Sequence, residues 1–259
     1  MWQVAWTMHR GICHQQQDAM LVAGQIRQSR NLLPTAVPAA SDLLLAIGDG
    51  VASTPSAGRA SRCVLSALPG LLARQPGLAP DGLLSGRHVR LAQQALCAAR
   101  DRGEVPFGAA TTLVAAHLRG PHAAIINVGD SRAYLARSDG RVRQLSHDHT
   151  ELQRLRDAGE LDDGVESASV YGFLSDCLAA DPDDDGFALH RDVVALEPGD
   201  RIALCSDGVH DALGEASWRA LLAEAMTPAE LVPTARAAVL RRGAPDNFSL
   251  IVAQHMPEQ

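Results

Sequence analysis

The sequence predicts a single α+β domain over residues 1–259, with antiparallel sheet covered on the outside by helices. Compact apolar segments of strand length recur between Gly, Asp and Ser. Stripes with helical spacing come in adjacent pairs rather than alternating one for one with the strands. No internal repeat or Pro/Ser-rich linker divides the chain. The strand segments are Leu43–Ile47, Thr112–Ala116, Ala123–Val128, Ala133–Ala136, Val193–Leu196, Arg201–Cys205 and Phe248–Ala253, assigned on length and β-branched content. Asp139-Gly140, just after the fourth, is a hairpin signal. One helical stripe runs through Val64, Leu65, Leu68, Leu71 and Leu72, and a second through Leu83, Leu84, Val89, Leu91, Ala95, Leu96 and Ala99. Trp218, Leu221, Leu222 and Ala225, then Leu231, Ala235 and Val239, mark two more. Residues 137–192 are charged and poor in long apolar stripes, the texture of a small surface subregion.

Composition narrows the function. The chain has 259 residues, 46% hydrophobic and 3% aromatic, enough to bury a core without disulfides or structural zinc. The longest apolar runs fall far short of the ~20 residues of a membrane span, and no basic stretch leads into a long apolar one at the N-terminus. These features predict neither a membrane nor an exported protein. Lysine is absent, so arginine supplies all 23 basic residues against 30 acidic ones, and the net charge of −7 argues against a nucleic-acid partner. Cys13, Cys63, Cys97, Cys177 and Cys205 are odd in number and widely spaced, as expected of a protein of the reducing cytoplasm. An acidic surface with no unpaired apolar helix points to a monomer.

Three of the apolar strands run into an aspartate: Asp49 and Asp207, each followed by Gly, and Asp130, followed by Ser131. Asp246 instead opens a strand, and Asp18 follows the polar run Gln15-Gln16-Gln17. Carboxylates converging from strand ends repel one another unless cations sit between them. Oxygen ligands without thiolates or paired imidazoles select Mg²⁺ or Mn²⁺ over Zn²⁺. Glycine at position 50 would let its own carbonyl approach such an ion. An isolated Asp-Gly is ordinarily a turn, and Asp81-Gly82, Asp139-Gly140 and Asp163-Gly164 are read that way. Asp181, Asp183, Asp185 and Asp192 imitate the spacing of a calcium loop but lack flanking amphipathic helices, so that segment reads as a solvated acidic turn. His147 and His149, spaced as neighbours on one strand face, have no third soft ligand nearby to make a zinc site. Cys205 reads as a small core residue.

The order of these segments resembles the metal-dependent protein serine/threonine phosphatases of type 2C, in a bacterial form. The matching pieces run from Gly11 to Asp18, through Asp49-Gly50 and Gly58-Arg59-Ala60-Ser61, to Gly108–Leu113 and Val128–Tyr134. Asp148-His149, Leu174–Leu178, Pro198–Arg201, Ser206-Asp207-Gly208 and Asp246-Asn247 complete the set. The resemblance implies a four-layer α-β-β-α sandwich, two antiparallel sheets flanked by helices, with a flap over about 146–192 that His149 helps to open. It implies two Mn²⁺ or Mg²⁺ ions sharing a water that attacks phosphoserine or phosphothreonine in line, without a Cys or Ser nucleophile. By position, Asp49 bridges the ions, Gly50 offers its carbonyl, Asp207 and Asp246 hold the second, and Asp18 stands in the inner or outer sphere. Asp130 and Asp207 match the holders of a third, weaker metal. Asp49, Asp207 and Asp246 are then the catalytic set, and Thr111 and Asn247 are supporting residues. The implied partners are phosphoproteins, a serine/threonine kinase or its targets.

Two departures stand out. Cys13 occupies the place of the family's phosphate-binding arginine and Gln16 that of an asparagine. A thiol cannot fork onto a phosphate as guanidinium does, so weaker phosphate binding is expected, with Arg10 and His14 as the nearby substitutes. Val51-Ala52-Ser53-Thr54 also lacks the histidine that follows Asp-Gly in some members, leaving the general acid unassigned. The alternative reading, prompted by Cys13, is a weakened relative that binds phosphoproteins without turning them over.

Overall fold

A computed structural model describes residues 1–39, 42–73, 84–161, 173–183 and 186–257. Leu83, Asp81-Gly82 and Asp163-Gly164 lie outside them. The first sheet has the order β10-β9-β13-β14-β1-β4, built from β1 (Trp2–His9), β4 (Asn31–Ala39), β9 (Arg132–Ala136), β10 (Val142–Gln144), β13 (Arg201–Cys205) and β14 (Phe248–His255). The second, β12-β8-β7-β5-β2-β3, uses β2 (Ala19–Val22), β3 (Gln25–Arg27), β5 (Asp42–Gly48), β7 (Leu113–Arg119), β8 (His122–Val128) and β12 (His190–Ala195). All pairings within both sheets are antiparallel. A short third ladder joins β6 (Ala110–Thr111) to β11 (Leu178–Ala179).

Three apolar layers hold the sandwich together. Trp6, Met8, Leu45, Ile47, Leu204 and Ile251 interdigitate between the sheets. On the outer face of the second sheet, α1 (Ala57–Ala73) and α2 (Gly86–Asp101) bury Val64, Leu65, Leu68 and Leu96 against Ala46 and Ala124. On the other side, α4 (Asp207–Leu213), α5 (Glu215–Ala223) and α6 (Pro228–Arg241) bury Trp218, Leu222 and Leu231 against Ala203 and Val252. Central strands are therefore buried on both faces. In β5, Leu45 and Ile47 face the other sheet while Ala46 faces α1. Such strands carry no polar–apolar alternation, and length and composition are what identify them.

All seven sequence-assigned strands and all four helical stripes correspond to elements, with ends moved by a few residues. The Asp139-Gly140 turn closes the β9–β10 hairpin, Gly140 taking φ +87°. β1 and β4 are new. β4 is an edge strand carrying Pro34 and Pro38, where prolines are tolerated but mask the strand signal. α3 (Glu151–Asp157) and α4, seven residues each, were too short to show a stripe. Among the described residues, no helix is long and apolar enough to cross a membrane.

Leu45 is 1% exposed between the sheets, on the strand that leads to Asp49. Truncation by Leu45→Ala is expected to cost about 2–5 kcal/mol of unfolding free energy, measured by urea denaturation; a loss below ~1 kcal/mol would contradict the packing described.

Candidate metal centre

The ends of β5, β8, β13 and β14 meet at one edge of the sandwich, and local contacts fix each carboxylate there. Past β5, the Asp49 amide donates to Thr112 Oγ1 at 3.1 Å, and its carbonyl accepts from Thr111 Oγ1 at 2.9 Å and from the Thr112 amide at 2.8 Å. Gly50 then presses on the start of α1, where a Cβ would lie 2.6 Å from the Ala57 carbonyl carbon. Gly208 does the same beside Asp207: a Cβ there would sit 2.0 Å from the Asn247 carbonyl oxygen. That contact seats the first turn of α4 against the start of β14 and brings Asp207 toward Asp246. Gly11, at φ +59°, lays the 10–17 loop on the Asp246 carbonyl, with 2.1 Å to any added Cβ. Asn247 secures this loop, accepting from the Gln17 amide at 2.6 Å and donating to the carbonyls of Arg10 (2.8 Å) and Gln15 (3.1 Å).

Asp18 lies behind the cluster, fully buried. Its Oδ2 accepts from Ser206 Oγ at 2.9 Å and Ser249 Oγ at 2.8 Å, one hydroxyl from the end of β13 and one from β14. Asp49 is within hydrogen-bond reach of the carboxyls of both Asp18 and Asp207. When all three are ionised, no proton is available to fill those contacts. Burial raises the proton affinity of Asp18 more than the two serine hydroxyls lower it, to a pKa of about 7. Burial and the neighbouring Asp207 charge bring Asp130 to about 7 as well. Asp49 is raised well above the usual carboxylate range by burial and by the charges of Asp18 and Asp207. Asp207 is also raised, by burial.

This donor set fits hard divalent cations. Asp18 Oδ1 and Asp207 Oδ1 are buried with no hydrogen-bond donor, the kind of orphaned acceptor a cation would satisfy. No group of three or more His, Cys, Asp or Glu side chains able to hold a metal by themselves occurs among the described residues. A cation here would therefore draw on the Gly50 carbonyl and on water as well as on carboxylates, as Mg²⁺ and Mn²⁺ commonly do. Asp49, Gly50, Asp130, Asp207 and Asp246 line one cleft of about 460 Å³, shared with Phe173 of the 146–192 region. Asp18 is packed beneath it.

The family model for protein phosphatase 2C matches residues 17–240. The chain belongs to the protein phosphatase 2C family. It is 30% identical over 216 residues to the serine/threonine protein phosphatase PstP of Mycobacterium tuberculosis, an alignment covering 81% of this chain and 40% of that protein. The chain thus spans less than half of that relative's length. A crystal structure of the M. tuberculosis phosphatase superposes with a TM-score of 0.79 at 26% identity, covering 99% of this chain and 100% of that one. A second structure, the PstP catalytic domain in complex with two manganese ions, gives a TM-score of 0.75 at 25% identity and the same coverage. Both are similar in the four-layer arrangement of two antiparallel sheets between helices.

The structure also specifies the departures from the family pattern. Cys13 Sγ donates to Asp246 Oδ1 at 3.3 Å, and Arg10 Nη1 donates to the carbonyls of Cys13 (3.0 Å) and His14 (3.1 Å), so Arg10 braces the loop. His147 and His149 are not strand neighbours; they lie in the segment between β10 and α3. His149 Nδ1 accepts from the Gly129 amide at 2.9 Å and supports the turn into Asp130, while His147 Nε2 contacts Asp157 Oδ2 at 2.7 Å. Asp148 pairs with Arg132, which also reaches Glu215 at 2.9 Å. Of the acidic 181–192 segment, Asp184 and Asp185 lie outside the described residues. Asp181 caps the Asp183 amide at 3.0 Å, and Asp192 belongs to β12, paired with Arg143 at 3.0 Å, an arrangement unlike a calcium loop. The strands on either side of the segment pair elsewhere, β11 with β6 and β12 with β8. Cys205 is fully buried, and burial pushes its thiol up.

Sequence reasoning missed Thr112, Ser206, Ser249 and His210. The buried His210 contacts the Asp130 carbonyl oxygen through Nε2 at 3.2 Å. The first two fall inside quoted motifs; Ser249 and His210 carry no local signal.

Without cations, the folded protein retains protons on Asp18 and Asp130 that the unfolded chain releases near pH 4. Stability should therefore fall as pH rises from about 4 to about 7. In chelator, the Tm is expected to drop across this window, by about 2–4 °C for each kcal/mol lost, and Asp18→Asn should flatten the slope. A wild-type Tm that is level or rising from pH 4 to 7 would contradict the electrostatics.

Proposed function

We infer that this chain is a metal-dependent phosphatase that hydrolyses phosphoserine and phosphothreonine in proteins, counteracting a serine/threonine kinase in the bacterial cytoplasm. The observation that carries the reading is the convergence of four cleft-lining aspartates, with a fifth buried against one of them, on a protein phosphatase 2C fold. The name of the mycobacterial relative and the two manganese ions of its catalytic domain support the substrate class and the cofactor. Residues 1–259 act as one domain; of the flap expected over about 146–192, residues 162–172 and 184–185 lie outside the described residues, and Phe173, Leu174 and Cys177 line the cleft.

Asp49, in reach of both Asp18 and Asp207, suits the ligand shared by two ions, and the adjacent Gly50 offers its carbonyl. Asp207 and Asp246 would hold the second ion, Asp18 would stand in the inner or outer sphere, and Asp130 with Asp207 would hold a third, weaker one. When bound, Mn²⁺ or Mg²⁺ supplies an acidified water as nucleophile and positive charge for the phosphoryl oxygens. The chain's own part is to hold these carboxylates in register: Thr111 and Thr112 fix the Asp49 backbone, and the hydroxyls of Ser206 and Ser249 offset part of the burial that favours protonated Asp18. The alternative, a phosphoprotein-binding relative without turnover, has Cys13 in its favour. A pure binding module has no use for five carboxylates whose repulsion destabilises the metal-free fold.

Hydrolysis of a phosphothreonine peptide is expected with Mn²⁺ and not with excess chelator, and Asp49→Asn should lower turnover by at least about 100-fold. Metal binding without turnover would favour the binding module. Cys13→Arg restores a bidentate donor and is expected to lower KM for a small phosphoester about tenfold. An unchanged KM would mean that the arginine position is not used for phosphate in this chain.

A further inference from the structure

A second groove, of about 450 Å³, runs between α1 and α2 on the outside of the sandwich. Arg59, Arg62 and Ser66 line it from α1 at helical spacings of three and four, and Ala95 and Ala99 line it from α2, continuing to Arg102 just past the helix end. Cys63, Ala67, Ala95 and Ala99 supply small, half-buried or buried side chains. Cys63 Sγ bonds across the groove to the Ala95 carbonyl at 3.8 Å. An open groove floored by small side chains with guanidinium groups along it leaves room for the backbone of an extended chain.

The charge of the groove opposes that of the molecule. Three arginines and one glutamate line it, a local excess of two positive charges in a chain of net charge −7. Among the described residues, neither Arg59 nor Arg62 has a carboxylate partner, although Arg59 Nη1 donates to the Glu104 carbonyl oxygen at 3.2 Å. Both side chains are exposed. Arg102 does pair with Glu104, at 2.7 Å, but both are more than half exposed, and such a pair exchanges partners at little cost.

The position of the groove links it to the candidate metal centre. α1 begins at Ala57, whose backbone Gly50 touches, and Arg59 follows two residues later. At 1.5 Å per residue, the stretch from Ala57 to Ser66 covers about 13 Å. An extended chain passing the start of α1 would reach Ser66, toward the far end of the groove, in about four residues.

We propose that this arginine-lined groove docks an acidic segment of the phosphoprotein substrate, about four residues from the phosphorylated one. The assignment of the ligand as substrate rests on the phosphatase reading above; the groove's preference for acidic peptide does not. Arginine supplies planar, paired donors for Asp and Glu carboxylates, and an acidic protein surface elsewhere would repel the same segment, confining it to this channel.

The test uses the full chain with Mn²⁺ and compares wild type with Arg59→Glu/Arg62→Glu. The substrates are p-nitrophenyl phosphate and two phosphothreonine peptides, one with a neutral tail and one with a tail of Asp and Glu. Wild type should show a KM about five- to tenfold lower for the acidic tail than for the neutral one. The double variant should lose that difference while hydrolysing p-nitrophenyl phosphate as wild type does. Fluorescence anisotropy of a labelled, unphosphorylated acidic peptide reads the groove independently of turnover and should weaken by a similar factor in the variant. Arg62→Gln, which loses no described partner, should give a smaller loss in the same direction and guards against misfolding. Equal KM values for the two tails in wild type, or equal peptide binding in wild type and variant, would overturn the proposal. So would an oligonucleotide of matched charge that displaces the peptide more strongly than unlabelled acidic peptide does. Absence of turnover on all three substrates, with groove-dependent anisotropy retained, would remove the phosphatase reading and leave the docking site.

Discussion

Carboxylates crowded together away from water repel one another, and at one edge of this sandwich Asp49 is in reach of both Asp18 and Asp207, with Asp130 and Asp246 in the same cleft. The fold holds them there through contacts that only small residues allow. Gly50 against Ala57, Gly208 against Asn247 and Gly11 against Asp246 each leave no space for a Cβ, so these three glycines bring pairs of backbone segments into close approach beside the cluster. The hydroxyls of Ser206 and Ser249 satisfy one oxygen of Asp18 and leave the other without a donor. Such a site stays partly protonated by itself and becomes fully ionised when cations enter. Metal binding is thereby coupled both to proton release and to folding stability.

The layers behind the site explain how so much repulsion is tolerated. Central strands bury both faces, one against the opposite sheet and the other against helices. Rigidity at the strand ends follows, because Asp49, Asp130 and Asp207 each lie within two residues of a central strand. Gln17 of the 10–17 loop and Phe173, Leu174 and Cys177 lie beside that rigid edge, and the departure at Cys13 sits in the same loop as Gln17, outside the core.

Much of this was legible in the sequence because strand-end aspartates followed by glycine are a local pattern, repeated in order. Strands such as Arg201–Cys205 were readable from length and composition, and Trp218 to Val239 from helical spacing. The parts that escaped are non-local or disguised. β4 hides behind Pro34 and Pro38, which an edge strand accepts. Asp18 meets its serine donors across 188 and 231 residues of sequence, and no spacing rule reports such a contact. His147 and His149 carried a strand-like spacing in a segment that is not a strand, where His149 is committed to the turn before Asp130. The α1–α2 groove was invisible for a related reason: Arg59 and Arg62 belong to α1 while Arg102 follows the end of α2, and only the packing of the two helices brings the charges to one groove.

The central claim is that divalent cations relieve the repulsion among these aspartates. Calorimetric titration with Mn²⁺ near pH 6.5, repeated in buffers of different ionisation enthalpy, measures how many protons leave as the metal enters. The account expects Mn²⁺ binding accompanied by net proton release, with both reduced in Asp49→Asn. Binding with no proton release, or binding of equal strength in the variant, would contradict it.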